Sequence, residues 1–367
     1  MKILSLFDGM ACGAVAFAEL GLPIDRYVAY EIDKHAVKVA SHNFPFIEQK
    51  GDVFEADFAE FNDFDWLIGG SPCTYWSIAQ KNNRETEASG LGWELFSQYV
   101  RALHEAKPKY FLYENNKSMS KEIKASITET FGFEPVLINS ALVSAQNRQR
   151  LYWVGIRQED GTYRKAGVEQ PEDRGILLRD VLDSGFDLTS NEKAYCLTKS
   201  YNPCAWNTIE RSQRNMVAEP VCVTQRGRYA ESGKIIQHYE PREDGKTNAI
   251  TTVQKDNAIT EPARIGCYPS PDGKTYPVYE VRNGLITIKD KQYPIKLADG
   301  FYIIRKLTVS ECMRLQTVPE WYDFSIISNS RAYKCLGNGW TVDVITHIIK
   351  GAQIENAPTE VAASGEG

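Results

Sequence analysis

The sequence predicts an α/β fold in which helices cover both faces of a mostly parallel sheet, together with a smaller β-rich domain. Two observations carry this prediction. Residues 1–157 alternate short apolar runs with stretches of helical spacing, which is typical of consecutive βαβ units. From about residue 185 to 300, short β-prone pieces are separated by Gly, Pro, Asn and Asp, which is typical of strands joined by turns.

The elements of the first part follow one another in a regular order. The expected strands are rich in Val, Ile, Leu, Phe and Tyr, and they are KILSLF, RYVAYEI, FDWLIGG, YFLYEN and RLYWVGI. The expected helices are AVAFAEL, HAVKVASHNF and the stretch from Trp93 to His104. Because ligands bind at the carboxyl ends of the strands in such sheets, we expect the functional residues directly after each strand.

The chain divides into four expected segments. The first domain spans residues 1–184, and its polar end, from about 160 to 185, is expected to be a hinge or linker. The β-rich domain spans residues 185–300. Helical patterns return in residues 301–350, which we expect to complete the first domain. Residues 351–367 have few large apolar side chains and are expected to be disordered.

The bulk composition narrows the class of protein. No apolar run reaches the roughly 18 residues that would span a membrane, and the start is too soon interrupted by Asp8 for a signal peptide. We therefore expect a cytoplasmic protein with reduced thiols. None of the eight cysteines forms a C-x-x-C pair, and no metal site is expected. The net charge of −6 disfavours nucleic-acid binding, but residues 193–264 carry 11 Lys and Arg against 8 Asp and Glu.

Acidic residues and glycines follow the first strands. Asp8, Gly9 and Gly13 allow a sharp turn whose backbone can approach a ligand. Glu31 suits the hydroxyls of a ribose, and Asp52 could accept a hydrogen bond from an adenine amine; a solvated acid at a loop end is the alternative for each. The first turn lacks G-x-G-x-x-G, so an NAD cofactor is not supported. S-adenosylmethionine, which contains adenosine but no phosphate, fits better.

A cysteine follows a rigid turn at the end of a later strand, in the run Gly69-Gly70-Ser71-Pro72-Cys73. Nearby positive charge or dipoles can make such a thiol a strong nucleophile. The alternative is that Cys73 is a buried apolar residue, as most cysteines are. Its position at the expected ligand edge favours the nucleophile.

Two further groups at this edge could act on a heterocyclic base. Glu114 ends a strand, and a partly buried, protonated carboxyl could donate to a ring nitrogen. Arg148 and Arg150 precede the strand RLYWVGI. They are either a solvated basic turn, or one guanidinium supports a polarised base and the other anchors the local structure.

The order of these blocks resembles the cytosine-C5 DNA methyltransferase family. The blocks are FDGxAxG, EID, GDV, GGSPC, EN, QxRxR, RxLTxxExxRLQ and GNGW, over roughly residues 1–157 and 303–350. Some of them are similar to the de novo methylating branch of animals, whereas the size is similar to stand-alone bacterial or phage enzymes. The resemblance implies a Rossmann-like S-adenosylmethionine-dependent methyltransferase fold, with a target-recognition domain at residues 185–300.

The resemblance also implies a mechanism with three catalytic residues. The target cytosine is flipped out of duplex DNA, Cys73 adds to C6, and Glu114 holds the exocyclic amine and protonates N3. Arg148 contacts the base oxygen O2. C5 then takes the methyl group of S-adenosylmethionine, and loss of the C5 proton expels Cys73.

The implied binding residues fall into two sets. The cofactor set is Phe7, Asp8, Gly9, Gly13, Glu31, Ile32, Asp52, Val53, Pro72, Asn338 and Trp340. The substrate set is Ser71, Pro72, Asn115, Arg150, Arg226, Arg228 and Lys255. Double-stranded DNA is the expected partner of a monomer, and a cognate restriction enzyme could accompany it.

The β-rich domain contains three faintly similar pieces: AYCLTKS, PVCVTQRGR and NAITTVQKDN. They are either recurrent strands of a loop-rich region or a surface that presents Arg226, Arg228 and Lys255 to phosphates or bases.

Two other features concern the site. Asn116 stands where the family usually has Val, which puts a polar amide beside the expected pocket. The loop TYWSIAQKNNRETEASGLGW after Cys73 has the composition of a mobile lid.

Two alternatives to DNA methylation stay open at this stage. Cys196-Leu197-Thr198-Lys199 resembles an element of the tRNA-methylating branch of the family, although the Phe of that element is missing. A catalytically inactive DNA-binding relative is disfavoured because Cys73 and Glu114 are both present.

Overall fold

The computed structural model describes most of the first domain, the strands of the second and the return segment. The described residues are 1–72, 75–76, 84–176, 178–181, 183, 221–229, 235–241, 247–248, 258–262, 267–269, 275–288, 291–294, 300–305 and 308–355.

A mixed sheet forms the centre of the first domain. Its strands are β1 (Lys2–Leu6), β2 (Arg26–Tyr30), β3 (Glu48–Gln49), β4 (Trp66–Gly69), β5 (Tyr110–Asn116), β6 (Val136–Asn139), β8 (Gln149–Arg157) and β9 (Tyr163–Lys165), and the short β7 (Gln146–Asn147) lies outside it. The strand order is β3-β2-β1-β4-β5-β8-β6, with β9 paired to β8. The first four pairs along this order are parallel, and the pairs that β8 makes are antiparallel. The predicted α/β fold is confirmed.

Helices pack on both faces of this sheet. They are α1 (Cys12–Glu19), α2 (Lys34–Asn43), α3 (Gly90–Ala106), α4 (Lys121–Phe131), α5 (Val309–Leu315), α6 (Asn329–Asn338) and α7 (Val342–Glu355). Neighbouring strand residues face opposite layers: Ile3 packs with α1, α2 and the three C-terminal helices, whereas Leu4 packs with α3 and α4. Helices of the return segment therefore complete one layer of the first domain.

Local capping explains where several helices begin. The side chain of Asp33 accepts a hydrogen bond from the His35 amide at the start of α2. Thr308 and Glu311 form a reciprocal capping box at the start of α5. Such contacts satisfy amides that have no partner within the helix.

Several expected boundaries were wrong. The expected hinge begins within the sheet, because β9 pairs with β8 and Ala166 and Val168 are buried behind it. The expected tail begins too early, because α7 continues to Glu355. Helix α4 and strand β6 were not predicted, since each contains only a few apolar residues that become buried.

The second domain is an antiparallel sheet. Its strands are β10 (Val221–Tyr229), β11 (Ile235–Pro241), β13 (Ala258–Pro262), β14 (Cys267–Pro269), β15 (Thr275–Arg282), β16 (Leu285–Ile288), β17 (Lys291–Pro294) and β18 (Gly300–Arg305), and β12 (Thr247–Asn248) lies outside it. The order is β11-β10-β13-β18-β15-β16-β17, with β14 on β15. Asn283 and Gly284, which join β15 to β16, have φ angles of 54° and 69°, as a tight hairpin turn requires. Because β18 belongs to this sheet, the domain extends beyond the predicted boundary at residue 300.

One backbone contact links the two domains near the ligand edge. Strand β12 pairs in parallel with β7, with Thr247 opposite Gln146 and Asn248 opposite Asn147. The pairing lies directly before Arg148 in the chain. In the described part of the chain, no helix is long and apolar enough to cross a membrane.

Candidate active site

An open cleft lies at the carboxyl ends of the central strands, between them and the C-terminal end of α6 in the return segment. The sequence placed eleven of its lining residues at the site: Phe7, Asp8, Gly9, Glu31, Ser71, Pro72, Glu114, Arg148, Arg150, Asn338 and Trp340. Residues from β1, β2, β4, β5, β8 and α6 therefore meet in one place, although they are far apart in sequence.

The turn after β1 is held in an unusual backbone conformation. Phe7, Gly9 and Ala11 have φ angles of 58°, 60° and 61°, and the left-handed region costs energy for the two residues that are not glycine. Glu31 stabilises this turn, because its Oε2 accepts a hydrogen bond of 2.8 Å from the Gly9 amide. Its Oε1 accepts from the amides of Ile32 and Asp33 at 2.9 and 2.7 Å. The carboxylate of Glu31 is thus fixed at the wall of the cleft.

Asp8 is a buried carboxyl in the same turn. Its Oδ1 accepts hydrogen bonds of 2.6 Å from the Ser5 and Tyr27 hydroxyls, whereas no group in the described part of the chain donates to its Oδ2. Burial raises the pKa of Asp8 to about 7, with a further contribution from the charge of Glu31, although the two hydroxyls act to lower it. The Oδ2 atom is itself buried, so no water hydration offsets its missing hydrogen bond.

Glu114 has a donor at each of its carboxylate oxygens. Oε1 lies 3.0 Å from Nε of Arg150, and Oε2 accepts a hydrogen bond of 3.0 Å from the Trp340 indole. Glu114 and Arg150 are both mostly buried, with 12% and 16% of the side chain exposed. Gly70 packs against Glu114 so closely that a Cβ there would lie 2.6 Å from its carbonyl oxygen.

Arg148 is held differently from Arg150. It is buried, and its guanidinium donates to the carbonyl oxygens of Gly337 and Gly339 at 3.2 and 2.9 Å. Gln316 donates to the same Gly339 carbonyl at 3.1 Å and accepts from Gln146 at 3.0 Å. These contacts join the loop after β7 to the return segment. They place Gln146 and Arg148 of the QxRxR block and Gln316 of the RLQ block in one buried network.

A second buried network holds the turn that precedes Cys73. The Asn115 amide donates to the Ser71 carbonyl at 3.1 Å and to the Tyr113 hydroxyl at 3.2 Å. The hydroxyls of Ser71 and Tyr113 lie 2.7 Å apart. Cys73 itself lies outside the described residues.

Asn116, which stands where the family usually has Val, makes local hydrogen bonds that a Val could not make. Its amide nitrogen donates to Asn115 Oδ1 at 3.2 Å, and its Oδ1 accepts from the Ser118 hydroxyl at 2.7 Å. The side chain is buried and does not line the cleft. Asn116 thus fixes the end of β5.

The described ends of the expected lid are anchored. Arg84 donates to the carbonyl oxygens of Trp76 and Ser118 at 3.2 and 2.7 Å. The buried Trp76 indole donates to Glu85 at 3.1 Å.

Other predicted site residues lie elsewhere. Gly13 lies inside α1, where a Cβ would meet Ile68 Cδ1 at 2.2 Å, so its role is helix packing. Asp52 caps a 3₁₀ turn through the Phe54 amide, and Val53 is buried beneath it. Residues that do not line the cleft are Gly13, Ile32, Asp52, Val53 and Asn115. Arg226 and Arg228 lie two residues apart on β10, and Lys255 is outside the described residues.

The sequence interpretation missed an ion pair at the cleft. Asp33 and Lys334 are 2.7 Å apart and join the start of α2 to α6. Burial acts to raise the pKa of Asp33, but the hydrogen bonds from Lys334 and from backbone amides lower it overall. Lys334 precedes Asn338 by one helical turn, which was the available signal. Cys12 and Cys335 also line the cleft, and burial raises the pKa of each thiol to about 12.

Comparison with known proteins places this cleft in a family. The family model described as C-5 cytosine-specific DNA methylase matches residues 1–353. The chain is 27% identical to the orphan methyltransferase M.SPRI of Bacillus phage SPR, over 95% of this chain and 97% of that protein. It is 25% identical to the type II methyltransferase M.FnuDI of Fusobacterium nucleatum, over 95% and 93%.

A solved structure shares the fold. The Entamoeba histolytica methyltransferase EhMeth superposes with a TM-score of 0.56 at 12% identity, covering 97% of this chain and 98% of that one. Since the family model matches nearly the whole chain, the chain belongs to the C-5 cytosine-specific DNA methylase family.

Proposed function

We propose that the protein transfers a methyl group from S-adenosylmethionine to C5 of a cytosine that it flips out of double-stranded DNA. The observation that carries the proposal is the Glu114–Arg150 pair, which lies in one cleft with Phe7, Asp8 and Glu31. An acid that can hold a base thus lies beside residues that can hold a nucleoside cofactor.

The residues of the turn after β1 fit the cofactor chemically. Asp8 and Glu31 give this end of the cleft an acidic lining, which suits the positive sulfonium and ammonium groups of S-adenosylmethionine. Ile32 is 73% exposed beside Glu31, which leaves an apolar surface that an adenine ring could cover. When bound, the cofactor supplies an electrophilic methyl group.

Glu114 and Arg150 are assigned to the target base. Arg150 rather than Arg148 contacts O2 in this proposal, because both guanidinium contacts of Arg148 given above are to the carbonyls of Gly337 and Gly339. Glu114 accepts from the exocyclic amine and delivers a proton to N3, which allows the ring to take up electrons. Arg148 is a positioning residue for the return segment.

Cys73 is the proposed nucleophile. Its thiolate forms a bond to C6 as N3 takes the proton from Glu114, and C5 then takes the methyl group, which leaves S-adenosylhomocysteine. Loss of the C5 proton to a base restores the double bond between C5 and C6 as the bond between Cys73 and C6 breaks, and N3 returns its proton to Glu114. The support is positional: the turn at Ser71 and Pro72 borders the cleft, and Asn115 holds Ser71 in place. Flipping the base costs a few kcal/mol in lost stacking.

The β-rich domain is the proposed reader of the DNA site. Arg226 and Arg228 on β10 could reach phosphates or bases, as could Lys255. The pairing of β12 with β7 supports this role, because it ties this domain to the loop before Arg148.

Expression in a methylation-free bacterial host tests the proposal. Sequencing of the host DNA for 5-methylcytosine should find one short sequence modified, whereas the Cys73→Ser protein should leave the DNA unmodified. The same proteins should be assayed on tRNA. Methylation of tRNA alone would contradict the proposal, and the modified DNA site would supply the substrate for finding a partner restriction enzyme.

A further inference from the structure

Trp340 lines the cleft and contacts the carboxylate that we assign to the base. Its indole N–H is 3.0 Å from Glu114 Oε2. The lining of the same cleft includes Phe7 and Glu31, which we assign to the cofactor. One half-buried ring therefore lies in the cleft that contains both proposed binding positions.

The indole resembles the base that Glu114 is proposed to bind. It is a planar aromatic ring that presents an N–H donor to a carboxylate, as the exocyclic amine of cytosine would. At a hydrogen-bond distance of 3.0 Å from Oε2, the ring occupies space that a base would need on that side of the carboxylate. The other oxygen, Oε1, already faces Arg150. A base that approaches Oε2 from that side therefore competes with the indole.

The backbone around Trp340 is held, so that the side chain is the part that can move. The carbonyl of Gly339 accepts hydrogen bonds from Arg148 and Gln316 at 2.9 and 3.1 Å. On the other side, the Thr341 hydroxyl donates to Gln316 at 2.9 Å. Rotation about the side-chain bonds of Trp340 can move the ring while these contacts persist.

We infer that Trp340 is a positioning residue. Its indole is hydrogen-bonded to Glu114 in the free protein, and this hydrogen bond breaks when the cofactor binds. The inference rests on the proposed function. Cofactor binding then frees Oε2 for the base, which couples the two ligands through one side chain. The free protein is also prevented from holding a flipped base before the methyl donor is present.

A double-mutant cycle on S-adenosylhomocysteine binding tests this inference by calorimetry. Trp340→Phe keeps an aromatic ring but removes the N–H. In Glu114→Gln, the amide oxygen remains available to Arg150, which turns the NH₂ group toward the indole N–H. Each change weakens the contact that competes with the cofactor. We expect Trp340→Phe to tighten binding about fivefold to tenfold in the wild-type background and not at all in the Glu114→Gln background.

Trp321→Phe is the matched control. The exposed Trp321 indole also donates to a glutamate, Glu19, at 3.3 Å, but it does not line the cleft. Its substitution should leave binding unchanged in both backgrounds. An equal effect of Trp340→Phe in both backgrounds would overturn the inference alone. Failure of the wild-type protein to bind S-adenosylhomocysteine would overturn the proposed function as well.

A second measurement does not depend on a stable Phe variant. In protein labelled with 5-fluorotryptophan, fluorine NMR can follow the seven tryptophans separately. Added S-adenosylhomocysteine and the Glu114→Gln change should each shift the Trp340 resonance, and the Trp321 resonance should stay in place. If the Trp340 resonance does not shift in Glu114→Gln, the hydrogen bond between Trp340 and Glu114 is not formed in solution, and the inference is contradicted.

Discussion

Glu114 and Arg150 form an ion pair across the antiparallel strands β5 and β8, with 3.0 Å between Oε1 and Nε. Two residues earlier in the chain, Arg148 makes its contacts with Gly337 and Gly339 on the return segment. The two arginines of one short block therefore have different partners and different expected roles.

Substitution of the two arginines should separate these roles. Arg150→Ala removes the partner of Glu114 at the cleft and should lower turnover by about 10²- to 10³-fold. It should also lower the stability, because it leaves the mostly buried Glu114 carboxylate without its ion-pair partner. Arg148→Ala removes the donor to the Gly337 carbonyl and one of the two donors to the Gly339 carbonyl, and should lower the free energy of unfolding by about 1–3 kcal/mol. Urea denaturation and methyl incorporation into DNA measure the two effects. A loss of turnover in folded Arg148→Ala as large as that in Arg150→Ala would contradict the assignment.

A methyl group at Gly70 should disturb Glu114 directly. The added Cβ would lie 2.6 Å from the carbonyl oxygen and 2.9 Å from Oε2 of Glu114, so that the strand end must move. We expect Gly70→Ala to lower turnover at least tenfold, as small displacements of catalytic groups do. Gly351→Ala in α7 is the control, because its Cβ would meet nothing closer than 3.9 Å. Full activity of Gly70→Ala would show that the packing there is not required.

Asp8 should make the stability depend on pH. Because its pKa is raised to about 7, the folded state holds a proton that the unfolded state has lost, between about pH 4 and pH 7. The free energy of unfolding therefore falls as the pH rises through this window. Asp8→Asn, which stays neutral, should reduce the fall between pH 5 and pH 8 by about 2–3 kcal/mol.

The exposed Asp160 provides the control for this measurement. Hydrogen bonds from the Thr162 hydroxyl and amide lower its pKa, so Asp160→Asn should not change the slope between pH 5 and pH 8. Chemical denaturation at a series of pH values measures both variants. An unchanged slope in Asp8→Asn would contradict the raised pKa.

Asn116→Val, which restores the residue usual in the family, should be tolerated. The change removes the acceptor of the Ser118 hydroxyl and one donor to Asn115, which should cost about 0.5–1.5 kcal/mol of stability. Turnover should stay within a fewfold of the wild-type rate, because Asn116 does not line the cleft. A large change in the choice of DNA site would instead assign Asn116 a role in substrate recognition.

Local pattern was sufficient to predict β1, β2, β4, β5 and β8 of the first sheet and eleven residues of the cleft. The ends of β1, β2, β4 and β5 had to meet at one edge once the sheet was parallel, and this brought Asp8, Glu31 and Glu114 together. The roles of Arg148 and Arg150 could not be separated in this way. Their difference depends on the return segment, which follows the second domain in the sequence and contacts Arg148 through Gly337 and Gly339.

The contacts that the sequence did not reveal are long-range or depend on shape. Asp33 and Lys334 are 301 residues apart in sequence, and no local period connects them. Gly13 looked like a ligand-binding glycine, but the side chain of Ile68 leaves no room there for a Cβ. Sequence spacing indicates that such a position is constrained, but it does not identify the residue in space that constrains it.

Covalent capture on 5-fluorocytosine tests the central claim most directly. Duplex DNA with 5-fluorocytosine in place of cytosine should trap the wild-type protein in the presence of S-adenosylmethionine, because fluorine cannot leave C5 as a proton does. Mass spectrometry should locate the adduct at Cys73, and Cys73→Ser should form none. An adduct at another residue, or no adduct while ordinary DNA is methylated, would contradict Cys73 as the nucleophile.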